Sequence, residues 1–264
     1  MPAVEQRYSN IAITGASSGL GRALAIAHAH PGVSLHLSAR NAERLTGVAA
    51  TCRSLGAQVS ETLADVTQPE PMRAWIGSLK RIDLMIANAG ISGGPGFGHS
   101  ETPDQVAMIF ATNVAGVFNT VLPAIAAMER QDPGPDGERG RIAIIGSIAG
   151  LIALPATPAY SAAKAALDFW ARGAGPGLAK MGIGLTLVRP GFIRTPMTAG
   201  NPYPMPGLMD ADRAAAIIRA GLAARHATIT FPYWFGLLAR IGDMVPKSLF
   251  DKFPRKPARA RTPS

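Results

Sequence analysis

The chain has 264 residues, 47% of them hydrophobic and 16% charged, with one cysteine and a formal charge of +9. That length and apolar content suffice for one large core, and α/β sheets of this size commonly form a single domain. The lone Cys52 excludes an internal disulfide, suits a reducing, cytoplasmic setting and is expected to serve packing rather than chemistry. No run approaches the ~18 apolar residues of a membrane span, and no basic leader with an apolar centre opens the sequence. Arg255, Lys256, Arg259 and Arg261 supply four of the excess charges in a proline-rich stretch without acids. With few aromatics and no nucleic-acid-binding motif, this predicts a solvated, disordered tail over 254–264 and no nucleic-acid partner.

In chain order, the apolar run over residues 9–14 predicts a buried strand, and Arg22 to Ala27 begins a helix. Between them stands Gly15-Ala16-Ser17-Ser18-Gly19-Leu20-Gly21. A strand, a glycine-rich turn and a helix make the first half of a dinucleotide-binding βαβ unit. Glycine serves where backbone must turn sharply or approach a pyrophosphate, and the free amides of the helix then face the phosphates.

The second strand ends in Leu37-Ser38-Ala39-Arg40-Asn41, with no acid where NAD-binding folds place one for the ribose hydroxyls. The planar donor fork of Arg40 suits a 2′-phosphate, which predicts NADP(H) in preference to NAD(H). Strands are predicted near 10–14, 33–39, 58–63, 83–87, 141–146, 183–189 and 227–231. Helices are predicted near 20–29, 42–54, 69–79, 103–128, 158–180 and 210–224. Their alternation predicts an α/β, Rossmann-type doubly wound, seven-stranded parallel sheet with helices on both faces. It forms one catalytic domain over 1–253, and Gln131 to Glu138 reads as a surface excursion.

Tyr160 and Lys164 are spaced to share one helix face, and Ser147 ends an apolar run before them. A phenol titrates near pH ~10, and a fixed ammonium beside it is expected to lower that value toward the working range. Ser147 could then hold a carbonyl oxygen while Tyr160 protonates it. Five histidines (His28, His30, His36, His99 and His226) are scattered without ligand spacing, so no metal is implied.

Thr14 to Gly21, Asn88-Ala89-Gly90, Asn113, Ser147, Tyr160, Lys164 and Pro190-Gly191 together resemble the motif set of the short-chain dehydrogenase/reductase family, single-domain oxidoreductase branch. The resemblance spans about residues 8 to 231. It implies the strand order 3-2-1-4-5-6-7 and nucleotide contacts from Gly15, Ser17, Ser18, Gly19, Leu20 and Gly21. Asp65 and Val66 would hold the adenine, Asn88 would brace the central strands, and Ala89 and Gly90 would lie by the nicotinamide ribose. Pro190, Gly191, Ile193 and Thr195 would border the nicotinamide, with Thr195 on its carboxamide. It further implies a catalytic set of Asn113, Ser147, Tyr160 and Lys164, in which Asn113 binds a relay water and Lys164 also holds ribose hydroxyls.

The implied reaction is reversible hydride transfer between NADP(H) and a secondary alcohol, ketone or aldehyde on a largely apolar small molecule. Ile91 to Phe97, Leu151 to Leu154 and Phe192 to Met209 are expected to line the substrate pocket, with Arg194 as the candidate charged anchor. Two other readings stand beside this one: a nucleotide-sensing binding protein on the same fold, and an NAD(H)-dependent dehydrogenase of an envelope sugar or lipid pathway. The amphipathic extension over 232–253 departs from the family. It is open to peripheral membrane contact, to pocket packing or to a second subunit, and a homodimer or homotetramer is expected.

Overall fold

In the computed structural model, residues 7–93, 100–135, 137–201 and 204–234 are described. Most of the predicted 232–253 extension, the whole 254–264 tail, His99 and Tyr203 lie outside them. Nine strands and seven α-helices are found among the described residues. The first half runs β1 (Asn10–Thr14), α1 (Gly19–His28), β2 (Ser34–Ala39), α2 (Ala42–Ser54), β3 (Gln58–Leu63), α3 (Pro69–Gly77) and β4 (Leu84–Ala87). The second half runs α4 (Pro103–Phe110), α5 (Gly116–Glu129), β5 (Gly140–Ile145), α6 (Pro158–Lys180) and β6 (Ile183–Pro190), then β7 (Ile193–Arg194), β8 (Met209–Asp210), α7 (Ala211–Ala223) and β9 (Thr228–Phe231). Seven strands form one parallel sheet in the order β3-β2-β1-β4-β5-β6-β9, the predicted order with β9 as its seventh strand.

Period-two alternation along strands covered on both faces builds two cores from one sheet. Ile11 and Ile13 of β1 join Leu35 and Leu37 of β2 under α1, α2 and α7, where Leu24, Val48 and Ile218 are buried. Ala12 faces the other way, with Met85, Ile142 and Ile144, under α3, α5 and α6, which contribute Ile76, Val121 and Leu167. Each fully buried Leu or Ile of this kind stabilises the fold by about 1.5–3 kcal/mol. Cys52 is buried in the first of these cores, as expected, and burial pushes its thiol up to about 11.

Two details depart from the sequence expectation. The helix predicted over 103–128 is interrupted by a wide π-turn at residues Ala111–Ala115 between α4 and α5. By length and composition alone the continuous run Pro103–Glu129 would suffice to cross a membrane, contrary to the expectation that no run approaches a span. Its inner side packs on α3 and on strands β4 and β5. Secondly, β7 and β8 pair with each other rather than with the sheet, and they close the excursion that runs between them. The far end of that excursion is seated on the chain beyond β9: a Cβ at Gly207 (φ +70) would stand 2.9 Å from Pro232 Cγ and 3.4 Å from Trp234. The 131–138 loop lies at the opposite end of the sheet, anchored by Gln131, which accepts from the Ile82 N–H at 2.7 Å.

The chain turns back at the β1–β4 boundary, running outward through β2 and β3 and returning beside β1. Such a reversal opens a crevice beyond the carboxyl ends of the strands, where ligands of these sheets bind.

Candidate active site

A cleft of about 700 Å³ lies at that crevice. Every residue predicted to touch nucleotide or substrate oxygen lines it: the loop Gly15, Ser17, Ser18, Gly19, Leu20 and Gly21; Arg40, Asp65 and Val66; Asn88, Ala89 and Gly90; Ser147, Tyr160 and Lys164; and Pro190, Gly191, Ile193 and Thr195. Asn113 is the exception. It is fully buried behind the wall, where Oδ1 accepts the Ile91 N–H and Nδ2 donates to the Ile91 carbonyl, both at 2.8 Å. An amide needs such partners inside a core, and the π-turn is what aims it there.

The glycine loop is shaped by close approach. Gly15 (φ +66) leaves no room for a Cβ, which would stand 2.8 Å from Ala89 Cα, and at Gly21 it would stand 2.2 Å from the Gly15 carbonyl oxygen. Asn88 stitches the loop to β4 by donating to the Thr14 and Gly15 carbonyls at 3.0 and 3.3 Å. At the mouth of α1 the Ser18 hydroxyl caps no amide and the first turn holds no acid. An uncapped helix start with spare amides and no carboxylate fits a phosphate group.

Along the cleft, charge is segregated. Its charged lining residues among those described are Arg40, Arg44, Asp65 and Lys164. Arg40 pairs with Asp65 at 3.6 Å, an exposed contact of small energy. Burial alone would raise the Asp65 carboxyl. The Thr67 amide and hydroxyl, both 2.9 Å away, together with Arg40 outweigh that and hold it below the usual carboxylate range. Arg44 is a second guanidinium that the sequence reading missed; Asn41 caps α2 by accepting its N–H at 2.8 Å. The signal was present in the sequence, since Asn41 three residues before Arg44 marks a helix start that brings this arginine beside Arg40.

At the other end, beyond β5 and β6, the cleft is lined by Ile152, Leu154, Phe192, Met197 and Pro204, with Ile91 at the β4 side. Arg194, the anticipated charged anchor, is not among the lining residues. It is mostly exposed and bonded to Asp210 at 2.9 Å, because β7 turns its side chain outward while Ile193 and Thr195 face the cleft.

Between the two ends stand Ser147 and Tyr160. Ser147 opens a short 3-10 turn, where its hydroxyl accepts the Ala149 N–H at 3.0 Å. Gly150 lets that turn sit on α6, since a Cβ there would be 2.8 Å from the Lys164 backbone. The Ser147 hydroxyl is the polar group that acts on the Tyr160 phenol, and both residues line the cleft. Lys164 is buried, donates to the Ile145 carbonyl at 2.8 Å, and lies 5.7 Å from the centre of the Tyr160 ring. Burial lowers its pKa to about 8.

The expectation that Lys164 lowers the Tyr160 pKa is corrected here. Burial pushes the phenol up, and the opposing influence is the Ser147 hydroxyl. The ammonium is turned to a carbonyl and over the ring face rather than to the phenol oxygen, so desolvation of the phenolate prevails. Behind Lys164 on the same helix, Asp168 makes a 2.5 Å bond to the buried Arg189, which immediately precedes Pro190. This ion pair, unseen in the sequence reading, ties α6 to the end of β6.

The comparisons agree with this architecture. A family model described as short chain dehydrogenase matches residues 9–203. An uncharacterised oxidoreductase of Myxococcus xanthus is 31% identical over 96% of this chain and 98% of its own length. The 11-beta-hydroxysteroid dehydrogenase A of Arachis hypogaea is 32% identical over 90% of this chain and 72% of its own. Among solved structures, a short-chain dehydrogenase from Sphingobium yanoikuyae in complex with NADPH superposes with a TM-score of 0.78 at 26% identity, covering 96% and 98% of the two chains. The fold and the match together define a doubly wound oxidoreductase. The chain belongs to the short-chain dehydrogenase/reductase family.

Proposed function

We propose that the chain is an NADP(H)-dependent oxidoreductase that interconverts an alcohol and the corresponding ketone or aldehyde on a largely apolar small molecule. The observation that carries this reading is the cleft with two arginines at one end, an uncharged apolar wall at the other, and the Ser147 and Tyr160 hydroxyls between them. The NADPH held by the Sphingobium yanoikuyae relative supports the same cofactor here.

When bound, the nucleotide supplies a hydride acceptor or donor. The residues do the rest. Gly15 to Gly21 and the start of α1 receive the pyrophosphate, and Arg40 with Arg44 receives the 2′-phosphate. Ser147 holds the substrate oxygen, and Tyr160 gives it a proton in reduction and takes one in oxidation. A phenol held protonated by burial suits the reductive direction. Lys164 offers its ammonium to the ribose hydroxyls and to proton exchange past Asn113. The apolar wall takes up the body of the substrate and excludes water.

Two copies are proposed to associate through α5 and α6, whose outer faces expose Leu122 and Phe169.

The cofactor claim is tested by fluorescence titration with NADPH and with NADH. Tighter binding of NADPH, with the preference lost or reversed in Arg40→Asp, supports the reading. Equal discrimination in wild type and variant contradicts the role of Arg40.

A further inference from the structure

The first turn of α6 carries Tyr160 yet has no cap of its own. Thr157 precedes the helix and its hydroxyl caps nothing, and Pro158, the first helical residue, has no N–H. Ala159 therefore bears the first amide that needs an acceptor from outside the helix. It finds one 58 residues away: Glu101 accepts this N–H through Oε2 at 2.9 Å and Oε1 at 3.2 Å. The carboxylate also meets the favourable end of the helix dipole.

Glu101 stands directly before Thr102, whose hydroxyl caps α4 by accepting from Gln105 N–H at 3.2 Å. Adjacent residues thus cap two different helices. Upstream, Ile91 has both its N–H and its carbonyl taken by Asn113. The stretch that leaves the cleft at Ile91 and Ser92 is therefore tied at its start to Asn113 and at its end to the amide beside Tyr160. Glu101 itself does not line the cleft.

We propose that Glu101 is a positioning residue that acts through Tyr160. By capping α6 from the start of α4, it fixes the turn that carries the phenol and so sets the phenol against Ser147. The proposal rests on the reading of Tyr160 as proton donor and acceptor.

The test uses the full chain with Glu101→Ala and Glu101→Gln. Three quantities are read: amide exchange at Ala159 by NMR, NADPH affinity by fluorescence, and NADPH-dependent reduction of phenanthrenequinone, an apolar diketone. In Glu101→Ala, loss of the cap is expected to speed Ala159 exchange about tenfold. Misplacement of the phenol is expected to lower kcat/KM about tenfold, with NADPH affinity unchanged. Gln keeps an oxygen acceptor and is expected to recover most of both losses.

Unchanged Ala159 exchange would overturn the proposal, because the contact would not exist in solution. Faster exchange with wild-type kcat/KM would also overturn it, because the cap would then be structural alone. If the wild-type chain binds NADPH but does not reduce the quinone, the reading of Tyr160 fails and the proposal fails with it, whatever the exchange data show.

Discussion

Lys164 buries an ammonium beside the chemistry, and the fold bears a cost for it. Its pKa falls from 10.5 to about 8 through burial. Below about 8 the residue is charged in both folded and unfolded chains, and the full penalty of burying the charge applies. Between 8 and 10.5 the folded chain releases the proton first, so the penalty shrinks as pH rises. That shift corresponds to about 3 kcal/mol at neutral pH, partly offset by the bond to Ile145. Lys164→Met is therefore expected to raise the melting temperature at pH 7, by an amount that fades toward pH 10.5, while turnover is lost. A variant destabilised equally at every pH in thermal scans would contradict this. The sequence shows the Tyr160–Lys164 spacing because one helix face carries both. It does not show which way the ammonium turns, because that depends on the Ile145 carbonyl of a neighbouring strand.

Helices of the second layer show what periodicity can and cannot convey. The span of α4 and α5 is legible as one apolar run, but the π-turn that aims Asn113 at Ile91 leaves no mark in composition. It is held by the partners of the amide, which come from another part of the chain. Likewise the cap of α6 comes from Glu101, and a helix start that borrows a distant carboxylate shows only a weak local signal. The outer faces of α5 and α6 are more apolar than solvent requires: Leu122 is 53% and Phe169 74% exposed. Phe118 and Trp170 meet edge to face at 5.2 Å and hold the two helices as one surface. Sedimentation velocity is expected to find a dimer that Leu122→Glu with Phe169→Glu converts to monomer, NADPH binding being retained. A wild-type monomer at micromolar concentration would contradict the association.

Across the whole molecule, the parallel sheet followed from strands that alternate with helices and the cleft from a glycine loop after the first strand, while the strand order was what the family resemblance implied. What stayed hidden was the closure of the site by long-range pairs: Asp168 with Arg189, and Gly207 against Pro232. These join segments far apart in sequence, and no local pattern encodes them. The position of Arg194 was misread for a similar reason, since the pairing of β7 with β8 decides which of its neighbours face inward. The central claim is that one cleft binds NADP(H) and passes a proton through Tyr160. The most direct measurement is NADPH binding and ketone-dependent NADPH oxidation on wild type and Tyr160→Phe side by side. The account predicts nearly equal NADPH affinity and a loss of kcat of at least about a hundredfold in the variant. Substantial turnover without the phenol would contradict it.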